Sequence, residues 1–163
     1  MHRCLSLILA GLVLASRPGI AQGVVTERSI GTTLAAEAVA AAVEACSGRG
    51  HRVSAAVVDR SGVLKALLRA DAAGPHTVDS SRAKAYTAAS MRASTAQILE
   101  NVRTNPGASR LTDIDGFLVV AGGLPIRIGD EVIGAIGVGG APAGHLDEQC
   151  AEAGIARIRD RLN

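Results

Sequence analysis

Residues 53–69 read Val-Ser-Ala-Ala-Val-Val-Asp-Arg-Ser-Gly-Val-Leu-Lys-Ala-Leu-Leu-Arg. Two runs of strand-forming residues, 53–59 and 63–69, flank a short polar link that ends in Gly62. A tight polar link ending in glycine between two such runs is typical of a β-hairpin. The stretch therefore predicts two antiparallel strands joined by a turn.

Three further runs of apolar residues predict strands downstream. They span residues 117–121, 124–128 and 132–138, and a Gly129-Asp130 turn signal separates the last two. The chain thus contains five predicted strands, joined mainly as hairpins.

Helices are predicted on either side of these strands. Residues 32–47 carry an apolar stripe at helical spacing, followed by Gly48. Two shorter helices are predicted from residue 79 or 80 to about 92 and over 94–102, and a last one over 146–162.

The order of elements is helix, two strands, two helices, three strands and helix. Because strands do not alternate with helices, a Rossmann-type parallel sheet is excluded. The sequence predicts an α+β fold: a five-stranded antiparallel sheet packed with N- and C-terminal helices and a middle helix pair. The chain is 48% hydrophobic with one Tyr, one Phe and no Trp, so its core must be aliphatic.

The first 21 residues have the features of a secretory signal peptide. His2 and Arg3 form a positive end, residues 4–15 are an apolar run, and Gly19 and Ala21 are small residues before the predicted cleavage site. The run is shorter than the roughly 20 residues of a transmembrane helix, and a retained anchor is the alternative. We therefore expect a signal peptide over residues 1–21 and a single periplasmic or secreted domain over residues 22–163.

The charge balance changes with this cleavage. The full chain of 163 residues has 17 basic and 15 acidic side chains, and loss of Arg3 and Arg17 leaves 15 of each. A neutral mature chain speaks against nucleic-acid or anionic-membrane partners, because those require a basic excess.

Cys46 and Cys150 are the two cysteines left after cleavage, and exported compartments are oxidising. Each lies on the apolar stripe of a predicted terminal helix, so the two sulfurs meet if these helices pack side by side. A disulfide and two buried thiols both remain open.

The most conspicuous motif is the glycine-rich run over residues 134–140, Gly-Ala-Ile-Gly-Val-Gly-Gly. It lacks the Lys-Ser/Thr pair or following acidic residue of a phosphate-binding loop. Glycine within a strand permits close approach of another backbone or of a flat ligand. Close packing or a ligand platform is therefore favoured over nucleotide binding.

Four residues are candidates for ligand contacts. Arg69 is suited to hold a carboxylate in bidentate fashion, although a solvent ion pair with Asp71 also explains it. Lys84 and Thr87 share one helix face, which faces either a pocket or solvent. His76 is the best placed of the histidines, none of which has metal-ligand spacing with another. The sequence shows no catalytic constellation such as a nucleophile elbow or a Cys–His pair.

Taken together, the motifs resemble the GlcG/HbpS-like family of haem-binding or haem-degrading-type domains. The likeness extends over nearly all of the mature chain. The motifs that carry it are Ala56-Val57-Val58-Asp59-x-x-Gly62-x-Leu64, Arg69-x-Asp71, Lys84-Ala85-x-Thr87-Ala88, Gly122-Gly123-Leu124-Pro125-Ile126, Gly134-Ala135-Ile136-Gly137-Val138-x-Gly140 and Asp147-Glu148-x-Cys150-Ala151.

The resemblance implies a profilin-like sheet, frequent assembly into homo-oligomers and a haem or related flat ligand in some members. We therefore expect an exported haem- or tetrapyrrole-binding protein in which His76 ligates the iron, Arg69 and Lys84 hold the propionates and Thr87 lies nearby. The alternatives are a sensory or binding module for a small carboxylate such as a glycolate-like acid, a haem-degrading enzyme, and a purely structural assembly.

Overall fold

A computed structural model of the chain describes residues 23–162. The predicted signal peptide lies outside the described residues. The helices are α1 (Thr32–Ser47), α2 (His76–Met91), α3 (Thr95–Thr104) and α4 (Gly144–Ile158), and the strands are β1 (Ser54–Asp59), β2 (Leu64–Arg69), β3 (Gly123–Ile128) and β4 (Glu131–Gly139). Two 3-10 helices, Pro106–Asp113 and Arg159–Arg161, follow α3 and α4. Among these residues no helix is both long and apolar enough to cross a bilayer.

The strands form one antiparallel sheet in the order β2-β1-β4-β3. The α+β class and both predicted hairpins are confirmed. The sheet has four strands, and the prediction of a fifth strand over residues 117–121 is wrong. These residues pair with none of the described strands, because the N–H of Leu118 donates to the Thr87 hydroxyl at 2.8 Å and the chain turns at Gly122, where φ is +120°.

The two faces of the sheet carry different helices. Ala55 and Val57 of β1 join the main core beneath α1 and α4. Val58 packs with Ala85 and Ala88 of α2 on the opposite face. Because side chains alternate along a strand, one strand supplies both cores and α2 is held apart from the terminal helices.

The terminal helices are bridged covalently. Cys46 of α1 and Cys150 of α4 form a disulfide, with their Cα atoms 5.5 Å apart and both side chains fully buried. The bridge closes a sequence separation of 104 residues. In the chain-entropy account, a bridge that closes a loop of that length lowers the entropy of the unfolded chain and so stabilises the folded state by about 4–5 kcal/mol. The sequence left a disulfide and two buried thiols open, and the structure contains the disulfide.

Helix α2 lies unusually close to β4. A Cβ atom built on Gly137 would lie 2.5 Å from the backbone nitrogen of Ala85 and closer still to the carbonyl oxygen of Ser81. Gly139 likewise faces Ser80. The glycine-rich run therefore serves close helix–sheet packing, one of the two roles predicted for it.

Helix α2 begins at His76, one turn before the predicted start. Pro75 precedes it with a φ of −60°, an angle that already suits a helix. The Thr77 hydroxyl contacts the Ser54 hydroxyl of β1 at 2.7 Å and donates to the Gly74 carbonyl, also at 2.7 Å. This buried contact ties the first turn of α2 to the sheet.

Substituting Gly137→Ala is expected to lower the free energy of unfolding by about 1–3 kcal/mol or more, because the methyl group would push α2 away from β4. Urea unfolding followed by circular dichroism measures this loss. Gly48→Ala is the matched control, since a Cβ there would lie 3.5 Å from its nearest neighbour at an ordinary helical φ of −61°. Equal midpoints for the two variants would contradict the packing argument.

Candidate functional site

Two of the predicted site residues, Arg69 and His76, flank one short loop. Arg69 ends β2, and its guanidinium donates to the Ala73 carbonyl. His76 begins α2, and its imidazole rests on Gly74, where an added Cβ would lie 2.7 Å from the ring carbon Cε1. Both side chains are exposed. The loop over residues 70–75 therefore presents a guanidinium and an imidazole on the same part of the surface.

The loop itself is held in a defined shape. The Ala70 N–H donates to Val53 of β1 at 2.9 Å, and the Ala73 N–H donates to Ala70 at 3.1 Å. Ala72 has a φ of +61°, a left-handed conformation that costs an alanine about 1 kcal/mol. Residues held in such conformations cluster at binding sites, which favours a functional role for this loop.

Lys84 lies elsewhere, in the protein interior. Its ammonium donates to Asp147 Oδ2 at 2.7 Å and to the Val138 carbonyl at 2.9 Å, and each side chain of the ion pair is only 4% exposed. The second carboxylate oxygen of Asp147 accepts the N–H of Ala141 at 2.9 Å. The pair thus joins α2 to α4 near the end of β4, and the Lys84 ammonium makes two hydrogen bonds within the protein.

Gly122 makes room for this ion pair. An added Cβ there would lie 2.7 Å from the Cβ of Asp147 and 3.0 Å from the ammonium of Lys84. The sequence predicted Lys84 as a site residue, but it did not identify Asp147 as the partner of Lys84. A signal was present, because Lys84 stands between Ala83 and Ala85 and a lysine is rarely buried without an acidic partner.

Thr87 is also buried, one turn beyond Lys84. Its hydroxyl donates to the Ala83 carbonyl at 2.8 Å and accepts the Leu118 N–H at 2.8 Å. It anchors the segment before β3 to α2. The structure therefore places Arg69 and His76 at the two ends of one surface loop, and it places Lys84 and Thr87 in the protein interior.

The two aromatic side chains of the described chain pack on each other. The rings of Tyr86 and Phe117 meet edge to face, with centroids 5.9 Å apart and planes at 73°. The Tyr86 ring also lies against Gly62 and Gly116, whose lack of side chains makes space for it. Because the Tyr86 ring already packs within the protein, a flat ligand at the Arg69–His76 loop must pack against other groups.

A separate cavity of about 310 Å³ lies beside α4. It is lined by Ala96, Ala121, His145, Glu148, Gln149 and Glu152. Burial, reinforced by the charge of Glu152, raises the pKa of Glu148, and a hydrogen bond from Gly122 and the charge of Lys84 oppose that effect. Over residues 23–162, no three His, Cys, Asp or Glu side chains are grouped so as to hold a metal ion.

Comparison with protein families gives a match to haem degrading protein HbpS-like over residues 30–156. A relative from Citrobacter freundii, an uncharacterised 15.0 kDa protein of the dhaT-dhaS intergenic region, is 39% identical over 114 residues. That alignment covers 67% of this chain and 79% of the relative.

Solved structures share the fold. A double mutant of HbpS from Streptomyces reticuli matches with a TM-score of 0.78 and 41% identity, covering 90% of this chain and 97% of that one. The Klebsiella pneumoniae protein ORFY matches with a TM-score of 0.76 and 28% identity, over 84% and 95% of the two chains. A PduOC–haem complex matches with a TM-score of 0.71 over 80% and 95%, and its 23% identity makes this a likeness of fold.

Lys84→Met is expected to lower the free energy of unfolding by about 3–5 kcal/mol, because it leaves the Asp147 carboxylate buried without its partner. The double variant Lys84→Met/Asp147→Asn should recover part of that loss, since no unpaired charge remains. Chemical unfolding of both variants measures the difference. Lys65→Met, at the half-buried second lysine, is the control, and a loss as large there would contradict the role of the buried pair.

Glu148→Gln is expected to alter the pH dependence of stability. Because the folded-state pKa of Glu148 is raised, the wild-type protein loses stability as pH rises through that pKa, whereas the amide does not titrate. As pH rises from acid to neutral, the free energy of unfolding of the variant should therefore increase relative to that of wild type. The increase should be less than about 1 kcal/mol, because solvent screens the site. Thermal unfolding across pH measures this increase, and Glu100→Gln at an exposed glutamate is the control. A difference from wild type that stays constant with pH and equals that of the control would refute the prediction.

Proposed function

The chain belongs to the HbpS-like family, as its motifs predicted, and on this basis we propose that it binds haem or a related tetrapyrrole. The observation that carries the proposal is the family match, which spans residues 30–156 of the described chain. A neighbour of the same fold, PduOC, was solved as a complex with haem. Haem degradation would additionally require a source of electrons, so binding is the narrower proposal.

Within this proposal, His76 ligates the iron and Arg69 holds a propionate. An imidazole nitrogen is a common axial ligand of haem iron, and the guanidinium fork matches a carboxylate. Both side chains are exposed and flank one short loop, so one ligand can reach both. The loop thus offers one iron ligand and one propionate partner.

Lys84 and Thr87 enter the proposal as positioning residues. Lys84 was expected to hold a second propionate, but its buried ammonium already donates to Asp147 and to the Val138 carbonyl. Thr87 is bonded to Ala83 and Leu118. We assign both side chains to fixing α2, and through α2 the position of His76.

We also propose that the protein is exported and works in the periplasm or outside the cell. The support is the leader-like sequence over residues 1–21 together with the Cys46–Cys150 bridge, since disulfides persist mainly in oxidising compartments. Assembly into homo-oligomers likewise remains a proposal.

Titration of the protein with haemin, followed by absorbance, tests the function. Binding to the wild-type protein should shift the Soret band of haemin until each binding site holds one haemin. His76→Ala should change the position of the bound band, because the iron loses its ligand. Arg69→Ala should leave the position of the bound band unchanged. It should weaken the affinity for haemin by roughly 10- to 100-fold, which is the effect of losing one charge-assisted hydrogen bond.

His51→Ala is the matched control, since this histidine lies in the loop between α1 and β1 and should behave as wild type. Absence of any Soret shift in wild type would refute haem binding. An unchanged spectrum in His76→Ala would refute the ligand assignment alone. A thermal-shift comparison of haemin with glycolate distinguishes this function from recognition of a small carboxylate, which would raise the melting temperature with glycolate and not with haemin.

A further inference from the structure

The Cys46–Cys150 bridge lies in the same buried core as the loop between the proposed ligand residues. Ala70 and Ala73 of this loop belong to one cluster with both cysteines and with Val53 of the adjoining β1 segment. Both cysteine side chains are fully buried. The covalent bridge and the ligand loop therefore share one packed interior.

Backbone hydrogen bonds lead from the bridge to the loop. Cys46 lies in the last turn of α1, and its carbonyl accepts the N–H of His51 at 3.0 Å. Two residues beyond His51, the carbonyl of Val53 accepts the Ala70 N–H at 2.9 Å. This second bond attaches the start of the loop over residues 70–75. The position of Cys46 thus reaches the loop through the short connection between α1 and β1.

The loop needs this attachment to keep its shape. Ala72 has a φ of +61°, and a left-handed conformation of this kind persists only where the surrounding structure holds it. The next residue, Ala73, supplies the carbonyl that accepts from the Arg69 guanidinium. Loss of the attachment at Val53 would therefore let Ala72 relax and move the guanidinium.

The side chains near the last turn of α1 hold it only weakly against α4. A Cβ atom on Gly154 of α4 would lie 3.2 Å from the Cβ of Ala42, one turn before the bridge, and glycine and alanine bury little apolar surface. Just beyond the turn, Arg49 donates to Gln149 at 2.6 Å, but this pair is exposed and water competes for it. The covalent bond to Cys150 is therefore what fixes the turn.

We propose that oxidation of Cys46 and Cys150 switches the 70–75 loop into its ligand-binding form, so that the redox state of this pair regulates ligand affinity. The two thiols form the S–S bond and release two protons and two electrons. These reduce the disulfide of a thiol–disulfide oxidoreductase to its dithiol. The inference rests on the proposed function at Arg69 and His76 and adds the regulation of that site.

The switch operates while the chain matures. In thiol–disulfide exchange a thiolate must reach a sulfur atom, and both cysteines are fully buried in the folded protein. Oxidation therefore takes place before or while α1 and α4 dock, and the finished bridge resists reductants. High ligand affinity is thereby confined to chains that have reached an oxidising compartment.

Haemin titration of Cys46→Ala/Cys150→Ala tests this regulation, because the variant cannot form the bridge and needs no reductant that would also reduce the haem iron. Its affinity for haemin should be weaker than that of the oxidised wild type by roughly 5- to 150-fold, the usual range of coupling between sites. In protein without haemin, the Ala70 N–H should exchange with deuterium about ten-fold faster or more. The N–H of Leu118, which bonds to Thr87 on α2, should exchange at an unchanged rate.

Val43→Ala is the matched control, since Val43 lies one turn before Cys46 in the same core and the change also removes two side-chain atoms while the bridge remains. It should bind haemin as wild type does. An unchanged affinity or an unchanged exchange rate at Ala70 in the double variant would overturn the proposal, and so would an equal loss of affinity in Val43→Ala. Complete unfolding of the double variant would also overturn it, because the bridge would then act on the whole fold.

The two measurements distinguish this proposal from the proposed function. If the oxidised wild type does not bind haemin, haem binding is refuted. The exchange rate at Ala70 then decides by itself whether the bridge controls the loop.

Discussion

The contact between α2 and β4 is the constraint on which the rest of this structure depends. It requires glycine at position 137, because any side chain there would collide with the backbone of α2. Once α2 is seated at that distance, its first residue, His76, emerges beside the end of β2. The same seating drives Lys84 inward to meet Asp147. Backbone contact between a helix and a sheet thus decides which residues are exposed and which are buried.

The Lys84–Asp147 pair is best understood as a connection between layers. A buried ion pair contributes little net stability, since the desolvation of two charges offsets their attraction. Here each partner also has a backbone hydrogen bond, Lys84 to the Val138 carbonyl and Asp147 from the Ala141 N–H, which offsets part of that desolvation. The pair joins the helix on one face of the sheet to α4 on the other, and removal of either partner would leave an uncompensated charge.

The end of β2 carries the proposed ligand chemistry. The Arg69 side chain bears on the proposed haem site, and its guanidinium donates to the Ala73 carbonyl of the adjoining loop. Ala70 and Ala73 of that loop belong to the same buried core as the Cys46–Cys150 bridge between α1 and α4. The covalently bridged helices therefore support the loop from the interior.

Local patterns were enough to predict the α+β class, the two hairpins, the terminal helices and the family, because hydrophobic period and turn residues act over a few neighbours. The same patterns predicted a strand over residues 117–121, since an apolar run does not reveal whether its N–H groups find a strand or the hydroxyl of Thr87. They marked Lys84 and Thr87 as notable without saying that both point inward. Which side of α2 is buried and which residue pairs with Lys84 depend on contacts between residues tens of positions apart, and only the tertiary structure decides those.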